Sequence, residues 1–358
     1  MIQLLIKTGS GTVDANQLAP TITWSGDYQQ CARSLNFGIL SSPIDKNIPS
    51  VKCDLGSAVT LIQDNRELFQ GHIFTREKST SGNTIDIGCF DRGIYLKRNE
   101  TTYKFTNTTP EAITRKVAAD FGIPVGEIAI TGFKFSRNFI GCDLYSIIET
   151  SYTLASKKNK KKYHIVFRGG KLCVVEKKVT DNTLVIEGGV NLMDAAMSES
   201  IENMVNQVAI YDKNDKLIKT VKNAEAVKLY GLMQNYIKQS DGEDTAAKAQ
   251  KLLDDNGIEQ KITVNNLGNI ANVTGGTVVV HEPYTGVYGL FYIDADTHTW
   301  KNGLYLNKLT LNFKNIMDEK EVGSLPNATG KKTAAKKTTK TKKTESNSGT
   351  FQYINHLK

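Results

Sequence analysis

The sequence contains no stretch approaching the roughly 20 consecutive apolar residues that a membrane-spanning helix requires. The first residues, Met1 to Ile6, form one short apolar run with no basic start and no small-residue cleavage site, so neither a signal peptide nor a membrane anchor is expected. Cysteine is scarce. Cys31, Cys53, Cys89, Cys142 and Cys173 are odd in number, widely spaced and without a C-x-x-C pair. That argues against a disulfide framework or a zinc knuckle and for buried free thiols in a reducing compartment. Enzyme signatures are missing as well. The sequence has no P-loop, no G-x-S-x-G and no H-E-x-x-H. Gly9-Ser10-Gly11 lacks the third glycine of a dinucleotide loop and reads as a hairpin turn.

What is present suits a soluble protein of two or three packed domains. The 358 residues are 39% hydrophobic and 23% charged. The net charge of +8 is unevenly placed. Residues 326–358 hold eight lysines and one acid, which leaves about +1 for the rest and implies no nucleic-acid-binding face on the body.

Residues 1–97 alternate short β-rich runs with turn formers, as in Ile2–Ile6, Thr21–Trp24, Val59–Ile62 and Thr84–Ile87, and read as a small barrel or sandwich. Tyr28 to Leu35 reads as a short helix-like crossing. Residues 98–180 read as an inserted α+β module. Thr109-Pro110-Glu111 is a helix start, a second helix is expected from Leu144 to Ala155, and Gly169-Gly170 joins a hairpin. Residues 181–260 are mixed α/β, with a helix over Asp244 to Asn256. Residues 261–321 return to strands; Leu309, Leu311 and Phe313 alternate with polar residues. Residues 322–358 read as a disordered Lys-rich tether ending in the apolar peptide Phe351 to Lys358, either a docking segment or a terminal stretch with no role. The β-rich ends show no sequence repeat of one another.

Candidate chemistry is thin. Asp294, Asp296 and His298, with His281 nearby in sequence, alternate as ligands on one strand face would, but the set lacks the further His or Cys of a closed site. A polar strand end is the plainer reading. Asp86, Asp91, Glu149 and Glu176 are acids without a recognisable glycosidase context. No catalytic, metal or cofactor residues are assigned.

One resemblance organises the rest. Trp24-Ser25-Gly26-Asp27-Tyr28 followed by Cys31 to Phe37, then Glu67 to Ile73, Cys89 to Leu96, Ser200 to Asn206, Tyr230-Gly231 and His298 to Leu311 resemble, in order, pieces of the XkdQ/YqbQ-type tail proteins of defective-phage elements and contractile bacteriocins. The resemblance implies a fold like the late control protein D group: α+β, mainly β, with two tube-like β-barrels flanking inserted small α/β modules. It also implies a non-enzymatic, trimeric baseplate hub that joins a hexameric tail tube or tube initiator to a trimeric spike beside other baseplate subunits. Such a chain would be made in the bacterial cytoplasm and end in the baseplate of the tail particle. The alternative is a tail-associated peptidoglycan hydrolase. Trp24, Tyr28, Arg33, Phe69, Gly71, Asp91, Tyr95, Tyr230, Gly231, Phe291 and His298 are the structural or contact candidates.

Overall fold

The structure is a computed structural model that describes residues 1–326 apart from 10, 43, 44, 46, 80, 81, 180–182 and 240–243. The Lys-rich run and the terminal apolar peptide lie outside the described residues.

The first 91 residues supply β1 (Ile2–Thr8), β2 (Gly11–Asp14), β3 (Thr21–Asp27), β4 (Ser34–Leu40), β5 (Ala58–Gln63), β6 (Arg66–Lys78) and β7 (Thr84–Asp91). The expected crossing at Tyr28 to Leu35 is not helical. β3 runs on to Asp27, whose carboxylate accepts from the Gln29 N–H at 2.8 Å and turns the chain, and β4 starts at Ser34.

The first insert follows as α1 (Ile94–Arg98), β8 (Glu100–Thr108), α2 (Pro110–Asp120), β9 (Val125–Ile128), β10 (Phe135–Asp143), α3 (Leu144–Asn159), β11 (Lys162–Arg168) and β12 (Lys171–Lys177). Thr109 caps α2 by accepting from Ala112, with Pro110 at its first position, as the sequence predicts. Asp143 caps α3, which is buried along nearly its whole length at the centre of this unit's own core.

The remainder comprises β13 (Leu184–Glu187), β14 (Leu192–Ser200), β15 (Gln207–Tyr211), β16 (Leu217–Lys222), α4 (Ala224–Tyr230), β17 (Gln234–Lys238), α5 (Thr245–Asp255), β18 (Glu259–Leu267), β19 (Thr277–Glu282), β20 (Val287–Lys301) and β21 (Leu304–Asn312). β15, β16 and β17 form a small separate sheet under α5, with Val208, Ile210, Ala249 and Leu253 between them.

Thirteen strands join in one sheet. Its first half has the order β3-β4-β7-β6-β5-β1 and its second the order β14-β18-β21-β20-β19-β13. Counted along the chain, the two orders are the same permutation. The hydrogen bonding repeats too. The Ile73 N–H donates to the Ser57 carbonyl at 3.0 Å and the Gly56 N–H to the Ile73 carbonyl at 2.8 Å. In the second half the Ile293 N–H donates to Gly276 at 2.9 Å and the Gly275 N–H to Ile293 at 3.0 Å. A bulge follows each isoleucine, between Ile73 and Thr75 and between Ile293 and Ala295. Gly56 and Gly275 share left-handed φ values of 82° and 88°, where a side chain is strained. The pairing departs at one place: β13 runs parallel to β19, whereas β1 runs antiparallel to β5.

The two closed barrels that the resemblance implies are not confirmed by the strand pairing. The pairing path runs open from β2 to β14 among the described residues. The long strands explain this. β20 pairs with β19 up to Tyr292 and with β3 from Ala295, so it hands the sheet on to the other half instead of returning it to its own first strand. The expected mainly-β class holds.

After β21 the chain crosses the first insert as a strap. Met317 joins that insert's core, Asp318 accepts from the Tyr145 hydroxyl at 2.9 Å, and Arg137 donates to the Val322 carbonyl at 2.6 Å. Ser324 and Asn138 exchange backbone hydrogen bonds at 2.8 Å, so Val322 to Ser324, placed by the sequence at the start of the tether, are bonded to β10. Beneath the strap lies Glu149, fully buried, with Oε1 unpartnered. Burial, then the charge of Asp318, pushes its carboxyl well above the usual range despite Lys320 and Lys97. A group raised in this way favours folding below its unfolded pKa and loses that contribution as pH rises toward its folded value. Glu149→Leu should therefore stabilise the protein by about 1–3 kcal/mol at neutral pH, with a smaller gain near pH 4. Thermal unfolding across that range checks the sign.

Candidate functional site

The seam between the halves is the antiparallel pairing of β20 with β3, from Ala295 opposite Asp27 to Lys301 opposite Thr21. Polar groups are buried against it. Arg33, from the start of β4, crosses Gly26 and forms a two-pronged ion pair with Asp296: Nη1 donates to Oδ1 at 2.9 Å and Nη2 to Oδ2. A Cβ at Gly26 would lie 2.3 Å from Arg33 Nη1, so the glycine clears the path of the guanidinium. The guanidinium carbon stands 3.9 Å from the centre of the Trp24 ring.

Asp296 also accepts from the Thr274 N–H and hydroxyl, both at 2.6 Å. Burial opposes its charge, but Arg33 and the hydrogen bonds from His298 and Arg33 hold the carboxyl below the usual carboxylate range. His298 Nδ1 accepts from Asn307 at 2.9 Å and from the Tyr305 hydroxyl at 2.7 Å. Those partners assign the ring proton to Nε2, which lies 3.1 Å from Asp296 Oδ2 and 3.1 Å from the Asn272 carbonyl. Asp91 closes the far side, accepting from the N–H groups of Gly93 at 2.8 Å and Arg33 at 3.2 Å. Burial pushes its carboxyl up to about 7 against those two donors.

This network is a dense strut in which the carboxylate of Asp296 is fully engaged, while Arg33 Nε and Trp24 Nε1 are buried without a hydrogen-bond partner. The three alternating residues do not converge as a metal site. The bulge at Asp294 breaks the two-residue period, and its carboxylate faces Asn312 at 2.9 Å and the buried Lys177 at 3.8 Å. His281 stacks on Tyr288 elsewhere. Among the described residues no group of three or more His, Cys, Asp or Glu is arranged to hold a metal ion. The other acids singled out lie on separate elements. Asp86 accepts from Thr84, Glu176 pairs with Lys161, and Glu149 is enclosed in α3.

Trp24, Arg33, Asp91 and His298 are thus brought together at the seam. The Tyr28 N–H donates to the Asp294 carbonyl at 2.9 Å, beside it. Phe69 and Gly71 lie in the first half's core region, where a Cβ on Gly71 would sit 2.2 Å from the Phe90 carbonyl. Tyr95 is partly exposed beside Phe74 and His72. Phe291 is fully buried in the second half's core. Tyr230 and Gly231 end α4, far along the chain, where Asn206 donates to the Gly231 carbonyl at 2.7 Å. The sequence alone did not single out Thr274, Asn272 or Asn307, nor did it pair Arg33 with Asp296. A lone small polar residue in a strand-rich segment carries no signal of such a role.

Beside the seam, β11 and β12, the start of β6 and residues 270–277 line a partly open cavity of about 860 Å³. Arg33 and the buried His164 line it. The α4–α5 unit has a smaller groove of about 240 Å³.

Known proteins resemble this chain in sequence or in fold. The phage-like element PBSX protein XkdQ of Bacillus subtilis (strain 168) is 27% identical over 312 residues, covering 84% of this chain and 94% of that protein. The 43 kDa tail protein of prophage MuSo2 from Shewanella oneidensis superposes with a TM-score of 0.66 at 15% identity, over 87% of this chain and 98% of that one. The tail protein from Neisseria meningitidis MC58 gives 0.62 at 13%, over 87% and 96%. The fold is that of phage tail proteins. A profile of the YQBQ-like family matches residues 22–312, which span the first half from β3 onward, both inserts, the second half and the Arg33–Asp296 seam, and the chain belongs to that family.

Proposed function

We propose that this chain is a structural hub at the baseplate of a contractile phage-like tail. Three copies form a ring that meets a six-fold tail tube, or its initiator, on one side and a three-fold spike on the other. The observation that carries the reading is the repeated strand order. One chain presents two alike β units side by side, joined by an internal seam, so three chains present six. Six alike units match a hexameric tube, while the chain itself keeps the three-fold symmetry of a spike. The family membership and the tail-protein fold support the same place in the particle.

In this reading the polar network at the seam acts by holding geometry. The Arg33–Asp296 pair and the Trp24 stack fix the angle between the halves, and that angle sets whether six units close a ring. Assembly would occur in the bacterial cytoplasm and the finished chain would reside in the baseplate. Electron microscopy of tail particles carrying a labelled version of this chain tests the placement. Density at the junction of tube and spike, three labels per particle, is expected. Label spread along the tube, or absent from particles, would contradict it.

A further inference from the structure

The internal seam has an open counterpart on each side of the molecule. β20 and β6 are equivalent strands, as are β3 and β14. Within the chain, the distal part of β20 pairs with β3. The distal part of β6, Thr75 to Lys78, pairs with β7 on one edge and, among the described residues, with no strand on the other. β14 likewise pairs with β18 on one edge; on the other, among the described residues, it carries only an isolated bridge from Leu192 to Gly188, so Asp194 to Ser200 are open there. Thr75 to Lys78 and most of β14 are exposed. Open edges of this kind are templates for another strand.

We propose that β6 of one copy and β14 of a second copy of this chain pair across these edges, reproducing the β20–β3 seam between chains. The inference rests on the trimeric hub reading and adds its interface.

The register follows from the cross-strand rungs. In the first half Ile73, Cys89, Leu35 and Trp24 lie opposite one another in turn. In the second half the same rung is Ile293, Leu311, Ile262 and Met197. Trp24 therefore corresponds to Met197, and Thr75 to Ala295. Inside the chain Ala295 faces Asp27 and Asp296 faces Gly26. Transferred to the open edges, Thr75 faces Ser200, Arg76 faces Glu199, Glu77 faces Ser198 and Lys78 faces Met197.

The charges agree with that register. Arg76 meets an acid, and a directly opposed pair of unlike charges stabilises neighbouring strands. Their present carboxylate and amide partners are surface ones: Arg76 reaches Asp54 at 3.3 Å, besides donating to the Cys53 carbonyl at 3.2 Å, and Glu199 accepts from Gln260 at 2.7 Å. A one-residue slip would place Arg76 opposite a serine and turn every side chain to the wrong face.

The test is a cross-link in the full chain. Thr75→Cys with Ser200→Cys is oxidised mildly beside a control, Thr75→Cys with Ala196→Cys, both carrying Cys142→Ser because Cys142 is the one native thiol that is not buried. The expected result is a native mass of three chains, with a disulfide-linked trimer for the 75/200 pair and none for the 75/196 pair. Trimers that fail to cross-link at 75/200 would overturn the seam and leave the hub reading standing. A monomer would remove both. As a second measure, Arg76→Glu should weaken trimer association by about tenfold or more, and adding Glu199→Arg should restore it. A trimer indifferent to Arg76→Glu, or a loss that the second change fails to restore, would also overturn the seam.

Discussion

Asp296→Ala should lower the unfolding free energy by about 3–5 kcal/mol, the cost of leaving a buried charge without its partner. Asp296 is almost fully buried and receives donors from Arg33, Thr274 and His298, so its removal strands all three. Arg33 has no other carboxylate within ion-pair distance among the described residues. The double variant Arg33→Met with Asp296→Leu should recover most of the loss, because a buried ion pair exchanged for apolar groups of similar size is often neutral. Denaturant unfolding of the three variants measures this. If Asp296→Ala cost under 1 kcal/mol, the seam would not be the strut described. A pH dependence follows. The folded-state pKa of Asp296 is depressed, so its contribution is present above the unfolded carboxylate value of about 3.9 and is lost as pH falls from there through the folded value. The variant should unfold with a flatter acid limb than the parent.

Phe291→Ala should cost about 3–5 kcal/mol as well, through a different cause. The ring is fully buried among Ile262, Val264, Val280 and Leu309, with Phe313 at 4.8 Å between ring centres. Truncation removes apolar burial and leaves a cavity in a core shared by every strand of the second half. The loss should be independent of protein concentration, since the ring faces no outer surface. A Tm that converged on the parent's as concentration rose would place Phe291 at a contact between chains.

Local elements were legible where one signal dominated. Thr109-Pro110-Glu111 fixed a helix start, Gly169-Gly170 fixed a hairpin, and Leu309 and Leu311 alternated as a half-buried strand does. β14 was harder. Leu192-Met193-Asp194-Ala195-Ala196-Met197 is made of residues that suit helices, and it is a strand because β18 pairs with it. The duplication left little trace in the side chains: Ile73 matches Ile293 and Gly56 matches Gly275, but the rest of the rung differs, with Trp24 against Met197, Leu35 against Ile262 and Cys89 against Leu311. It survives in the backbone pairing around Ile73 and Ile293, which composition does not encode. At the candidate site, Trp24, Arg33 and His298 stood out, but their partner was invisible. Arg33 and Asp296 are separated by 263 positions, and the bulge at Asp294 overturned the period that made Asp294, Asp296 and His298 look like ligands of one ion.

The measurement that bears most directly on the account is the symmetry of the purified full chain by electron microscopy with class averaging. A closed ring of three copies showing six alike lobes around a channel is the predicted image. Isolated monomers, a two-fold dimer, or a ring with any other number of lobes would contradict it.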